Sequence, residues 1–280
     1  MKEDLSYRTD PSFPPSVGAP RHSDNVSRVN PLSAAGAAGT WRLGDLTVNR
    51  LGFGAMRLTG SLPFAKGSPS DREQSIAVLR RAVELGVNHI DTAAFYFSPL
   101  RSANELINTA LAPYPADLVI TTKVGPGRDS WGEWHSARPD QLRGQVEENL
   151  RQLGRDYLEV VNLRRRADQQ SISEHFGALA ELREAGLIRH LGVSDVTVDQ
   201  LTDAQSIAPV VCVQNRYGFD LREHDPVLRA CAERGIAFVP FFAIAGPSRQ
   251  SGRRPPEPGP LLAVARRHGA TRPRSGWPGP

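Results

Sequence analysis

Cysteine is scarce in this chain, and the two that occur, Cys212 and Cys231, lie in apolar segments. Their spacing fits neither a disulfide framework nor a zinc site, so we expect buried thiols in a reducing compartment. Apolar runs of about 18 residues are missing, which argues against a membrane span. The first residues also lack the apolar stretch of a secretory signal. These absences predict a cytoplasmic protein without a membrane partner.

Charge of one sign is not concentrated on any predicted element. The chain has 34 Lys and Arg against 30 Asp and Glu, a formal net charge of +4, and part of this excess lies in the C-terminal segment. A basic face with interleaved aromatic residues is absent, so the sequence predicts no nucleic-acid partner. Metal-ligand and flavin motifs are absent as well, and we expect no metal site.

The first segment, residues 1–38, is rich in Pro, Ser, Gly and Asp and has no hydrophobic periodicity. Such a composition predicts a disordered extension. The segment WRLGDLTVNRLGFGAM that follows predicts two short strands around a turn at Gly44 and Asp45, and then a strand that ends at Gly54. The folded part of the chain is therefore expected to begin at residue 39.

From residue 71 onwards, a helix followed by a short apolar strand recurs along the chain. The predicted helices cover residues 71–86, 102–111, 139–153, 171–185, 198–206 and 225–234. The predicted strands are VNHIDTA, LVITTKVG, YLEVVNL, LIRHLGVSD, PVVCVQNRY and GIAFVPFFAI. Continuous apolar strands that alternate with helices indicate an α/β fold with a parallel sheet covered by helices.

An open doubly wound sheet and a (β/α)8 TIM barrel both fit this alternation. Polar residues stand at the carboxyl ends of successive strands, namely Asp91, Lys123, Arg164, Ser194, Asp195, Gln214 and Asn215. An open sheet collects its functional residues at one switch point, whereas in a barrel every strand end contributes to one mouth. The barrel is therefore the favoured architecture.

Converging strand ends would make Asp91, Tyr96 and Lys123 neighbours. A lysine beside a tyrosine lowers the pKa of the phenol, and an aspartate paired to that lysine keeps it charged. Tyr96 would then protonate a carbonyl oxygen as a hydride reaches the carbon. Because no metal or flavin motif is visible, we expect the hydride to come from a nicotinamide cofactor.

Five motifs in this order, LGFGAM, VNHIDTAAFY, VITTKVG, LGVSD and VQNRY, resemble the aldo/keto reductase superfamily. The resemblance runs from Trp41 to about Ala270. It implies a (β/α)8 TIM barrel, the cofactor NADPH bound without a Rossmann motif, and a small-molecule carbonyl substrate. The similarity is to a bacterial branch with a VVNLR strand, which includes pyridoxal-reducing enzymes.

The family uses a catalytic tetrad of Asp, Tyr, Lys and His. The resemblance assigns the first three roles to Asp91, Tyr96 and Lys123, and the position of the histidine is held by Arg164. An arginine there can donate a hydrogen bond to the carbonyl oxygen and stabilise a developing alkoxide. It cannot relay a proton, because its pKa is too high.

The resemblance also assigns a set of residues to the cofactor. They are Gly54, Ala55, Ser194, Asp195, Gln214 and Phe241. Ser194, Asp195 and Gln214 would hold the nicotinamide carboxamide, Phe241 would stack on its ring, and the others would line it. The family has Asn where this chain has Asp195, and the change keeps an acceptor but loses a donor.

Two alternatives stay open at the level of sequence. Lys123 could be the Schiff-base lysine of a barrel aldolase, and the loop with Trp131 and Trp134 could form a pocket wall or only pack on the barrel rim. A borohydride trap with substrate would identify the aldolase.

The last segment departs from the family pattern. The tail TRPRSGWPGP, residues 271–280, is too rich in Pro and Gly for a helix or a strand. We therefore expect a barrel over residues 39–270 that lacks the eighth strand and the last helices, followed by an irregular, non-native tail. Our hypothesis for this tail is a single-nucleotide deletion, which genomic resequencing tests. A catalytically inactive remnant is the alternative function.

Overall fold

A curled parallel sheet of seven strands organises the computed structural model of this chain. The structure describes residues 35–60, 69–129, 131, 133–166, 169–218, 221–243, 263 and 267. Helices connect the successive parallel strands, as the alternating sequence pattern predicts. None of the described helices combines the length and the apolar character needed to cross a bilayer.

The helices and strands follow one another in the predicted order. The strands are β1 Thr40–Leu43, β2 Leu46–Asn49, β3 Phe53–Gly54, β4 His89–Asp91, β5 Phe97–Ser98, β6 Arg101–Ser102, β7 Val119–Val124, β8 Pro126–Arg128, β9 Trp134–Ser136, β10 Leu158–Arg164, β11 Ile188–Ser194, β12 Val210–Gln214 and β13 Ala237–Phe238. The helices are α1 Arg72–Glu84, α2 Ala103–Leu111, α3 Leu142–Leu153, α4 Ser173–Glu184, α5 Val198–Ile207 and α6 Asp225–Glu233.

Each strand of the main sheet pairs in parallel with the next main-sheet strand along the chain. The order is β3-β4-β7-β10-β11-β12-β13, and β3 and β13 are the outer strands among the described residues. This topology is that of a partial (β/α)8 barrel and confirms the predicted fold class. An eighth main-sheet strand is not among the elements that the described residues form.

Local sequence signals explain where the helices begin and which faces they bury. The Asp71 side chain accepts a hydrogen bond from the backbone N–H of Gln74 at 2.7 Å, as expected of an N-cap. Ile76 and Leu79 of α1 are buried in the main core. Gly86 has φ 86°, a left-handed conformation that ends the helix with little strain in glycine.

The hairpin β1–β2 closes the amino-terminal end of the sheet. Gly44 at its turn has φ 64°, which confirms the predicted turn. Its apolar face packs on strand residues in one buried cluster, which comprises Leu43, Val48, Val119, Val160, Cys212 and Ala237. This cluster leaves the carboxyl ends of the strands as the place for a ligand.

Three sequence predictions need correction. Residues 36–38 form a short 3-10 turn, and Ala35 donates a backbone hydrogen bond to Leu85 at 3.0 Å, so the folded part begins before residue 39. The last strand is only Ala237–Phe238, although backbone hydrogen bonds from Val239 to Val213 and from Phe241 to Asn215 continue the pairing beyond it. The hairpins β5–β6 and β8–β9 were not predicted. Predictions for residues 1–34 and 271–280 lie outside the described residues.

Gly192 of β11 is expected to tolerate no side chain. An added Cβ would lie 2.0 Å from Asn162 Oδ1 and 2.7 Å from Cys212 Sγ. Gly192→Ala should therefore lower the free energy of unfolding by about 1–3 kcal/mol, measured by urea denaturation. The control is Gly144→Ala in α3, where nothing lies within 4 Å. That change should raise stability by about 0.5–1 kcal/mol, and an equal response of both variants would contradict the packing argument.

Candidate active site

The register of the sheet brings the predicted site residues to one edge. Gly54 pairs with Asp91 across β3 and β4. Arg164 pairs with Ser194, and Ser194 pairs with Gln214, across β10, β11 and β12. These residues all stand at the carboxyl ends of their strands, where a barrel carries its active site.

Asp91 and Lys123 form a bidentate ion pair inside this edge. Lys123 Nζ donates to both carboxylate oxygens of Asp91 at 2.7 Å and to the backbone oxygen of Thr92 at 3.1 Å. The side chains are only 16% and 5% exposed. Burial alone would lower the pKa of Lys123. The nearby Asp91 and Tyr96 outweigh this effect and raise that pKa above its usual value. Lys123 is thus a fixed cation.

A buried polar network, which the sequence patterns did not reveal, supports Thr92. Thr92 Oγ1 donates to Asn104 Oδ1 at 2.8 Å, and Asn104 Nδ2 donates to Asn149 Oδ1 at 3.0 Å. Thr122 Oγ1 also donates to Asn149 Oδ1, at 2.6 Å. The signal in the sequence is an asparagine on the buried face of each of two helices, since buried amides are normally hydrogen-bonded.

Tyr96 is buried beside the ion pair. Lys123 Nζ lies 5.0 Å from the centroid of its ring, and the ring of Phe95 meets it edge to face at 5.2 Å. Burial raises the pKa of Tyr96 above its usual value, and the charge of Lys123 only partly opposes this shift. The predicted lowering of the phenol pKa towards neutrality is therefore wrong, because desolvation of the buried ring is the larger effect.

Arg164 faces the site from the end of β10. Its Nη1 donates to Ser194 Oγ at 3.2 Å, its Nη2 lies 3.4 Å from Asp195 Oδ2, and its guanidinium carbon lies 5.1 Å from the centroid of the Phe241 ring. Burial lowers the pKa of Arg164 below its usual value, and the charge of Asp195 acts in the opposite direction. An arginine nevertheless stays protonated.

The remaining predicted cofactor residues lie around the same edge. Oε1 of Gln214 is buried and has no hydrogen-bond partner among the described residues. A Cβ added at Gly54 would meet no atom within 4 Å, so space is open beside it. Ala55 follows as a buried residue, and Phe241 is held by a backbone bridge to Arg216.

The hairpin β8–β9 contributes aromatic surface next to Tyr96. Trp134 meets Phe95 edge to face at 5.7 Å, whereas Trp131 is 88% exposed. Arg128 lies over the Phe97 ring at 4.3 Å. The two tryptophans of this loop therefore differ: Trp131 is exposed, whereas Trp134 contacts an aromatic residue beside Tyr96.

A family model described as the aldo/keto reductase family matches residues 50–266. The chain belongs to the aldo/keto reductase family. The resemblance inferred from the sequence motifs is thereby confirmed, and it supports an oxidoreductase that acts on small carbonyl compounds. Groups of three or more metal-ligating side chains are absent from the described residues of this aldo/keto reductase.

Known relatives agree with the family assignment. Pyridoxine 4-dehydrogenase of Escherichia coli is 45% identical over 217 residues, which cover 75% of this chain and 74% of that protein. A Schizosaccharomyces pombe aldo-keto reductase, yakc, whose name carries NADP(+), is 29% identical over 208 residues, or 71% of this chain and 59% of that protein. The thermostable aldo-keto reductase Tm1743, solved with the inhibitor epalrestat, has a TM-score of 0.67 at 28% identity, and the match covers 83% of this chain and 81% of that chain.

Proposed function

We propose that this aldo/keto reductase reduces an aldehyde or a ketone to the alcohol, with NADPH as the hydride donor. The observation that carries the proposal is the buried ion pair of Asp91 and Lys123 beside the Tyr96 ring. A fixed cation next to a buried phenol is an arrangement that favours proton transfer to a carbonyl oxygen.

The four proposed catalytic side chains have different tasks. Tyr96 donates its proton to the carbonyl oxygen and becomes a phenolate, which the charge of Lys123 stabilises. Asp91 keeps Lys123 charged and fixes its position. Arg164 donates a hydrogen bond to the same oxygen and stabilises its developing negative charge, without giving up a proton.

The residues at the strand ends fit a nicotinamide cofactor. The unpartnered Oε1 of Gln214 can accept a hydrogen bond from the carboxamide N–H group, since a buried acceptor is costly to leave unsatisfied. The nicotinamide would also be surrounded by Ser194, by the ring of Phe241 and by the open space beside Gly54 and Ala55. When bound, the reduced nicotinamide supplies the hydride. The name of the Schizosaccharomyces pombe relative supports NADP(H) as the form used.

We further propose an aromatic aldehyde as the substrate class. Phe95, Phe97 and Trp134 offer flat apolar surface next to Tyr96, and the guanidinium of Arg128 lies over the rings of Phe97 and Trp134. The name of the Escherichia coli relative, pyridoxine 4-dehydrogenase, points to a heteroaromatic alcohol as that enzyme's substrate. Pyridoxal should therefore be reduced with a higher kcat/KM than an aliphatic aldehyde of similar size.

The contacts of Lys123 argue against the Schiff-base alternative. A lysine that attacks a carbonyl must first lose its proton, which a lowered pKa would favour. The pKa of Lys123 is instead raised, and its ammonium group donates to Asp91 and Thr92. An electrostatic role for Lys123 is the one that these contacts support.

A titration with NADPH tests the proposed function directly. The purified 280-residue chain, shown to be monodisperse, is expected to bind NADPH saturably with a micromolar Kd, followed by cofactor fluorescence. Addition of pyridoxal should then consume the reduced cofactor and yield the alcohol. Absence of binding by a folded chain would reject the reductase proposal and favour the inactive remnant. Binding without turnover of any aldehyde would reject the catalytic assignment alone.

A further inference from the structure

The side chain of Asp195 forms an ion pair with Arg164. Asp195 Oδ2 lies 3.4 Å from Arg164 Nη2, and the two side chains are 21% and 24% exposed. The other oxygen, Oδ1, lies 4.0 Å from Nε2 of His224. At these exposures the ion pair is partly removed from water, and its attraction is screened less than that of a surface pair.

The backbone fixes Asp195 in this place. Asp195 has φ 63°, the left-handed region that non-glycine residues rarely occupy. Its N–H is held by the backbone oxygen of Gln214 at 3.1 Å and by Asn215 Oδ1 at 2.7 Å. Asn215 also accepts from the N–H of Val196 and donates to its carbonyl oxygen. A residue held so firmly in an unfavourable conformation is typical of a functional site.

We propose that Asp195 is a positioning residue, which orients the guanidinium of Arg164 for the substrate carbonyl and does not bind the nicotinamide carboxamide. The proposal rests on the proposed function of this site. The contacts with Ser194 and Asp195 engage two nitrogens of Arg164, and a guanidinium has five N–H donors in a fixed fork. Fixing one side of a planar group sets the direction of the remaining donors.

The same contact explains why Asp195 is unsuited to the carboxamide. A carboxylate offers only acceptors, so it could receive the amide N–H but not bind the amide oxygen. Its two oxygens already face the guanidinium of Arg164 and the imidazole of His224. Gln214, with its unpartnered buried oxygen, provides an acceptor that is not yet used. The amide N–H is therefore assigned to Gln214 alone.

A double-mutant cycle tests this assignment with Asp195→Asn, Arg164→Met and the double variant. Asp195→Asn should lower kcat for pyridoxal by about tenfold or more, because a misdirected donor no longer meets the carbonyl. The Kd for NADPH should stay within about twofold, since no cofactor contact is lost. In the Arg164→Met background, Asp195→Asn should have no further effect on kcat. Asp203→Asn, on the exposed side of α5, is the control for loss of one negative charge and should leave kcat unchanged.

Two outcomes would overturn the inference. The first is a change of more than about fivefold in the Kd for NADPH in both backgrounds, since it would show a direct cofactor contact independent of Arg164. The second is that Asp195→Asn lowers kcat by the same factor in the wild-type and in the Arg164→Met background. Equal losses would show that the two residues act independently.

Failure of the proposed function gives a different result. If the wild-type chain does not bind NADPH, the reductase proposal is rejected, and the same four chains are compared by urea unfolding without ligand. Non-additive changes in the unfolding midpoint would still support the pairing of Asp195 with Arg164. Additive changes would overturn it.

Discussion

Replacing Tyr96 by phenylalanine is expected to lower kcat for aldehyde reduction by about 10²–10⁴-fold, the usual contribution of a general acid. The Kd for NADPH should stay the same, because the hydroxyl group is proposed to act only on the substrate oxygen. Burial raises the pKa of Tyr96, so the wild-type rate should hold through neutral pH and fall only at alkaline pH, as the phenol ionises. Steady-state kinetics over a pH series measure both effects.

The matched control for this experiment is Tyr114→Phe. The hydroxyl of Tyr114 donates to the backbone oxygen of Leu153 at 2.7 Å, outside the site formed at the strand ends. Its loss should affect stability by about 1 kcal/mol and leave kcat unchanged. If Tyr96→Phe retained full activity while binding NADPH normally, another proton donor would have to be sought.

Replacing Lys123 by methionine is expected to affect both stability and catalysis. The change leaves the carboxylate of Asp91 without its partner at 16% exposure. Removing one member of a buried ion pair lowers the free energy of unfolding by about 3–5 kcal/mol. The phenol of Tyr96 would also lose the cation that stabilises its ionised form, so kcat should fall by about 10²-fold or more. Urea unfolding and kinetics at temperatures where the variant is folded measure the two losses separately.

A second variant distinguishes the ion pair from simple loss of packing. In Asp91→Leu with Lys123→Met, no uncompensated charge is left, so stability should recover by at least about 1 kcal/mol relative to Lys123→Met. Activity should stay lost. A double variant that was less stable than the single one would contradict an energetic role for the unpaired carboxylate.

Much of the fold could be predicted because its signals are local. The Asp71 side chain caps α1 only three residues away, and the turn at Gly44 joins the adjacent strands β1 and β2. The structure confirms both of these predicted features. The hairpin β8–β9 had no comparable signal, since Trp134 is placed by contact with Phe95, far away in sequence. Predicting such a hairpin requires knowing which strand ends meet.

The candidate site also combines features that the sequence predicted with features that it could not predict. Asp91 and Lys123 stand directly at or near strand ends, so the barrel topology alone predicted that they would meet. The direction of the pKa shift of Tyr96 was not predictable, because it depends on how deeply the ring is buried, which no motif encodes. The pairing of Arg164 with Asp195 follows from the lateral register of β10 and β11, which becomes visible only in the folded chain.

The serial order of the main sheet bears on how the protein assembles during synthesis. Because each main-sheet strand pairs with the one made just before it, the sheet can grow unit by unit as the chain leaves the ribosome. The hairpin β1–β2 is an exception: although made first, it packs on Cys212 and Ala237, which are made much later. We therefore expect the hairpin to dock only after most of the sheet has formed.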